Sequence, residues 1–173
     1  VADVNSAPFE KLVVPGEHKA HLKADNQLDG IVRHVPIQLD DGTSSVPWTL
    51  SLAMLRAAHP ETFKADLIDE QLRVSGWSEE VTASIDLSGP SNAAVYFKTA
   101  EPEKTVVSLF DVLAAAQGEN TTLDLRELFK DKYVMVGVSA AALGDRGAIP
   151  IANDAALTIV HAHMLDNILS DSF

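Results

Sequence analysis

Tyr133-Val134-Met135-Val136-Gly137-Val138 is a continuous apolar run without alternation. A short uninterrupted apolar run reads as a strand buried on both faces, the pattern of parallel sheets. Upstream, Ser108 and Asp111 have the spacing of a capping box. Leu109, Val112, Leu113 and Ala116 form the stripe of the helix that follows, and Gly118 suits the position past its end. Thr121 and Asp124 repeat the capping pattern before Leu125–Phe129. Downstream, Ser139 to Asn153 reads as a long small-residue loop, and Ala155 to Ser170 as the last helix. There Leu157, Val160, His161, Met164 and Ile168 share one face, and His163 points away from it.

Further from the run, Asp29-Gly30 is a strong turn signal. Ile31 to Leu39 follows with period two. Ile31, Arg33, Val35, Ile37 and Leu39 lie on one face, and Val32, His34, Pro36 and Gln38 on the other. Pro36 argues for a sheet edge or a bulge. Pro47 to His59 reads as a helix that is apolar on two faces and hence largely buried. Pro60 to Glu80 is more acidic, and its spacing predicts a solvated helix (Phe63, Leu67, Ile68, Leu72). Ala93 to Phe97 predicts a short buried strand. The alternation of strands and helices predicts an α/β fold: a single domain with a central mixed, partly parallel sheet flanked by helices.

The 173 residues suit one domain and can bury roughly 70% of the unfolded surface. The charge sum is 13 − 25 = −12. That disfavours a nucleic-acid partner and a polybasic contact with anionic lipid. With 46% apolar and 22% charged residues, wholesale disorder is not expected. There are no cysteines, which removes disulfides, thiol catalysis and thiolate zinc sites. His18, His21 and His34 are scattered, so no metal is expected, and no motif calls for a cofactor. The most apolar stretch, Val134 to Leu143, is too short to span a bilayer, which takes about 20 residues. The first fifteen residues carry Asp3 and Glu10 where a signal peptide would be basic.

Three arrangements could carry chemistry. Arg33 lies on the apolar strand face and needs a carboxylate, with Asp29 and Asp145 as candidates. It reads either as a structural ion pair or as an arginine whose fork binds a ligand. With His161, these residues are expected to form one cluster: Arg33, Asp145, His161 and, nearby, Asp29. Second, the loop Ser139 to Pro150, with Ser139, Gly144 and Pro150, follows the end of the run quoted first. Crevices beyond such strand ends hold ligands in open α/β sheets. Third, Ser139, Asp145 and His161 follow the chain order of a hydrolase triad. The second elbow glycine is Ala141, however, and Ser139 and Asp145 share one loop, so no catalytic residue is expected.

The ordered landmarks resemble the type-two CHASE domain, the extracytoplasmic sensory domain associated with cyclases and histidine kinases. They are Asp29-Gly30-Ile31-Val32-Arg33-His34-Val35-Pro36, the helix after Pro47, Ser108 to Leu113, Phe129 to Gly137, Gly144-Asp145, Pro150, and Val160-His161-Ala162 ahead of Asn167-Ile168-Leu169. Trp48 stands where the family has a small residue, and Leu157 where it has a glycine. The resemblance implies a signal-input domain of a bacterial membrane receptor, outside the inner membrane, sensing a small-molecule or ionic signal. Receptors of this kind commonly signal as homodimers, although no heptad seam marks one here. The start at Val1 and the lack of a spanning segment suggest an excised domain. In that reading, residues 1–28 are a lead-in with the first strand, 29–170 the sensor core, and 171–173 a tail leading to a transmembrane segment. The alternatives are a cell-envelope binding or assembly module, and a small α/β serine hydrolase using Ser139.

Overall fold

The computed structural model describes residues 20–21, 24–26, 28–38, 48–89, 91–98, 106–119, 122–138 and 146–173. The expectations for Leu39, Pro47, Thr121, Ser139, Gly144 and Asp145 therefore lie outside the described residues. So does the first part of the lead-in.

Ten strands and four helices are formed by the described residues. In chain order they are β1 (Ala20–His21), β2 (Asp25–Asn26), β3 (Val32–Pro36), β4 (Trp48–Thr49), α1 (Leu50–Ala58), β5 (Lys64–Ile68), β6 (Gln71–Ser75), β7 (Thr82–Ser88), β8 (Asn92–Ala94), α2 (Leu109–Ala116), α3 (Leu125–Phe129), β9 (Arg146–Ile149), β10 (Ala152–Ala156) and α4 (Thr158–Ser170). The chain divides into two compact units. Lys98–Val136 forms the smaller, and the remainder the larger.

The larger unit is α/β, but its central sheet corrects the expectation of partly parallel pairing. Six strands run in the order β2-β3-β8-β7-β6-β5, and every ladder is antiparallel. Among the described residues, parallel pairing is confined to the two-residue β1·β4 pair and the single bridge Ile31–Ala148. The reason lies in residues 60–91. The expected solvated helix is instead the hairpin β5–β6, extended by β7 into a meander. Leu72, Val74, Ala83 and Ile85 are buried, while the residues between them face outward. That period of two belongs to a half-buried antiparallel sheet.

Asp69 and Glu70 close the hairpin with φ of 49° and 64°. Positive φ at both central positions is the two-residue turn whose twist matches the flanking strands. Aspartate tolerates this region; glutamate does so less readily. Glu70→Gly should therefore stabilise the unit by about 0.5–1 kcal/mol. The check is a higher urea midpoint at unchanged slope.

The run Tyr133–Val138 is not a buried strand. It lies outside every ladder among the described residues, and Val136 is 69% exposed. Ala93–Phe97 starts as β8 and alternates: Ala93, Val95 and Phe97 are buried, Ala94 and Tyr96 exposed. The second half of the expected loop 139–153 is the hairpin β9–β10, turning at Pro150 and Ile151.

The core forms where α1 and α4 pack on each other and α4 packs on β7. Leu52 and Leu55 of α1 and Val160, Met164 and Ile168 of α4 are sealed from solvent, with Val35, Val74 and Ile85 of the sheet. Trp48 precedes α1 as part of β4 rather than opening the helix, and α4 begins at Thr158 rather than Ala155. In the smaller unit, the cap at Ser108 forms as expected, whereas α3 is capped by Asp124 itself, the residue expected three positions inside a cap at Thr121. Ser108 Oγ accepts from Phe110 N, Asp124 accepts from Arg126 N and Glu127 N, and Gly118 takes φ of +79° past the end of α2. Neither helix buries a residue; Leu109, Phe110 and Leu113 are exposed.

Candidate functional site

The polar groups worth explaining are those on and against α4. A helix that buries residues on nearly every face is a core element, and polar side chains inside it need partners. α4 buries His161, His163 and Asn167 among its apolar residues.

His161 is inward, as its helical position predicts, and fully buried. Its Nδ1 shares a hydrogen bond with Thr49 Oγ1 at 3.2 Å. Ser51 Oγ donates to the His161 carbonyl at 2.8 Å. Thr49 is the N-cap residue of α1, a position where threonine ordinarily accepts from the helix's first amides. It makes no such cap; its hydroxyl is on His161 instead. The start of α1 is thus joined to the middle of α4 by two polar contacts inside the core.

His163 is also buried, which corrects its outward placement. Its ring lies 5.1 Å from that of Phe97, tilted by 57°. The partly exposed stripe of α4 runs through Ile159, Ala162, Asp166 and Leu169 instead, which leaves His163 inside. The sequence marks Asn167 only as part of the Asn167-Ile168-Leu169 landmark and assigns it no contact. Its Oδ1 accepts from Tyr96 N at 2.9 Å, and its Nδ2 donates to Tyr96 O at 3.1 Å. The amide completes both backbone bonds at Tyr96, just past the end of β8. A polar residue inside an apolar helical stripe was the available signal.

Arg33 pairs with Asp29, one of its two expected partners: Nη2 to Oδ2 is 2.8 Å and Nη1 to Oδ1 is 3.0 Å. The pair is not buried. The side chains are 36% and 49% exposed, because β3 meets only the short β2 on that side. Asp29 also accepts from Ile31 N, fixing the turn at Gly30. The Arg33 hydrogen bond holds the Asp29 carboxyl below its ordinary range. The structure thus joins Arg33 to Asp29 and His161 to Thr49, while Asp145, the expected link, lies outside the described residues. Of the expected pocket loop, Pro150 is exposed at the β9–β10 turn.

A second ion pair, absent from the sequence reading, spans that hairpin. Arg146 Nε reaches Asp154 Oδ1 at 2.6 Å, and Nη2 reaches the Asp154 carbonyl at 2.8 Å. The Arg146 hydrogen bond lowers the Asp154 pKa. A depressed folded pKa adds stability above the unfolded value of 3.8 that is lost as pH falls through the folded one. In Arg146→Met, the carboxyl midpoint of Asp154 followed by NMR should rise toward 3.8.

Among the described residues, no helix is long and apolar enough to cross a membrane. The CHASE2 domain model matches residues 4–173. The chain therefore belongs to the CHASE2 domain family, the extracellular sensory domains of receptors such as cyclases and histidine kinases. No curated protein and no solved structure matches the chain significantly.

Proposed function

We propose that the chain is the extracytoplasmic input domain of a bacterial transmembrane receptor, such as a sensor histidine kinase or nucleotide cyclase, on the periplasmic side of the inner membrane. The observation that carries this is the CHASE2 match over residues 4–173. In this reading residues 1–28 lead in, 29–170 sense, and 171–173 lead on to a membrane-spanning segment. The domain itself is not the catalyst; the output domain of the parent receptor is.

The mechanism is a population shift. A ligand that binds one arrangement of the larger unit better than another changes the setting of α4, the last helix. The Thr49–His161 and Asn167–Tyr96 contacts make α4 responsive to the sheet and to α1. A thermal-shift screen of small metabolites and ions tests the reading. A ligand at 100 times its dissociation constant adds about 2.7 kcal/mol of stability. A screen in which no compound raises the melting temperature counts against a small-molecule signal.

A further inference from the structure

The core face of the six-stranded sheet is wider than its cover. α4, backed by α1, packs on β7, while at β5 the same face is left open and Leu67 is 64% exposed. A cleft of about 260 Å³ lies there. Its apolar wall is Ile37, Leu67, Leu72 and Leu87, and Trp48 flanks it. Ligand pockets run upward from roughly 300 Å³, so the cleft suits a molecule of one or two rings.

The lining is uncharged among the described residues, in a chain of net charge −12. Gln38 and Ser91 are the polar residues of the described lining. Such a lining penalises an ion, which loses hydration and finds no countercharge among the described lining residues. It favours a flat, uncharged ring that packs on Trp48 and takes a hydrogen bond from Gln38 or Ser91.

The cleft is one residue from the α4 contacts. Trp48 is followed by Thr49, whose amide donates to the Ile37 carbonyl at 2.9 Å and whose hydroxyl meets His161. Ile37 N in turn donates to the Ser91 carbonyl at 2.8 Å. Wall residues Ser91, Ile37 and Trp48 are thus tied by backbone to the junction that holds α4.

We propose that this cleft binds an uncharged, ring-bearing small molecule with a hydrogen-bond acceptor, and that Thr49 passes its occupancy to α4. The proposal rests on the sensory reading and names the ligand class and site within it.

The test uses amide and indole shifts of the 173-residue chain, titrated with coumarin, a neutral bicycle with one carbonyl acceptor, and with the anion 1-naphthoate. Coumarin should move the Trp48 indole and the Gln38 and Ser91 amides saturably, with naphthoate at least tenfold weaker. Ala65→Phe, which fills the cleft from β5, should weaken coumarin at least tenfold at an unchanged melting temperature. Thr49→Val should keep the Trp48 response and lose the changes at Asn167. No saturable shift, equal binding in Ala65→Phe, or equal binding of naphthoate overturns the site. Unchanged Asn167 shifts in Thr49→Val overturn the coupling. Binding is read without receptor output, so a receptor that signals normally while coumarin fails to bind contradicts the cleft and leaves the sensory reading standing.

Discussion

Asn167→Leu should lower unfolding stability by about 2–4 kcal/mol, although leucine has the branching and heavy-atom count of asparagine and belongs to an apolar helix. The substitution strips two bonds at once, leaving Tyr96 N–H and Tyr96 C=O without the partners that Asn167 supplies. Each lost partner in a buried site costs about 1–3 kcal/mol, and partial burial here holds the sum below the full total. Asn167→Asp separates the two bonds. The carboxylate still accepts from Tyr96 N–H but faces the Tyr96 carbonyl with another acceptor. It should therefore also destabilise at neutral pH and recover part of the loss as acid protonates it. Denaturant midpoints of the three proteins between pH 4 and 7 provide the check. Equal stability of Asn167→Leu and the parent chain would mean that water satisfies Tyr96 equally well.

Gly76→Ala should cost about 3 kcal/mol or more. Gly76 has φ of +100°, and a Cβ there would sit 2.0 Å from the Thr62 carbonyl oxygen and 2.5 Å from its carbon. These are backbone atoms, so no side chain can swing aside. Thr62 Oγ1 also donates to the Gly76 carbonyl, which pins the two segments together where β6 ends. Gly30 is the control. Its φ is +74°, but a Cβ would meet nothing within 4 Å. Gly30→Ala carries only the backbone penalty of roughly 1–2 kcal/mol. The difference between the two variants isolates the collision.

Features encoded locally were legible in the sequence. The Asp29-Gly30 turn, the Ser108 cap, Gly118 past α2 and the inward His161 each depend on a few neighbouring residues. Their chemistry has one low-energy outcome. The meander in 60–91 was not legible. Phe63, Leu67, Ile68 and Leu72 fall near a helical spacing by coincidence. The deciding turn is Asp69-Glu70, which lacks the glycine that usually announces such a hairpin. Tyr133–Val138 was misplaced because a continuous apolar run does not by itself require a ladder partner, and Val136 is 69% exposed.

The candidate site divides in the same way. Arg33 with Asp29 is a contact four residues apart and could be anticipated. Thr49 with His161 and Asn167 with Tyr96 join residues 112 and 71 positions apart. No local spacing predicts them. The exposure of Arg33 followed from the shortness of β2, which alternation within β3 cannot reveal. His163 was misplaced because the partly exposed face of α4 runs through Ile159, Ala162, Asp166 and Leu169, a direction that the apolar stripe alone does not fix.

The most direct test of the sensory account replaces residues 1–173 in the parent receptor with an unrelated folded domain and measures output activity as the external medium is varied. The account predicts output that no longer responds to the medium, while the output domain keeps its catalytic capacity. Output that follows the medium as before would contradict it.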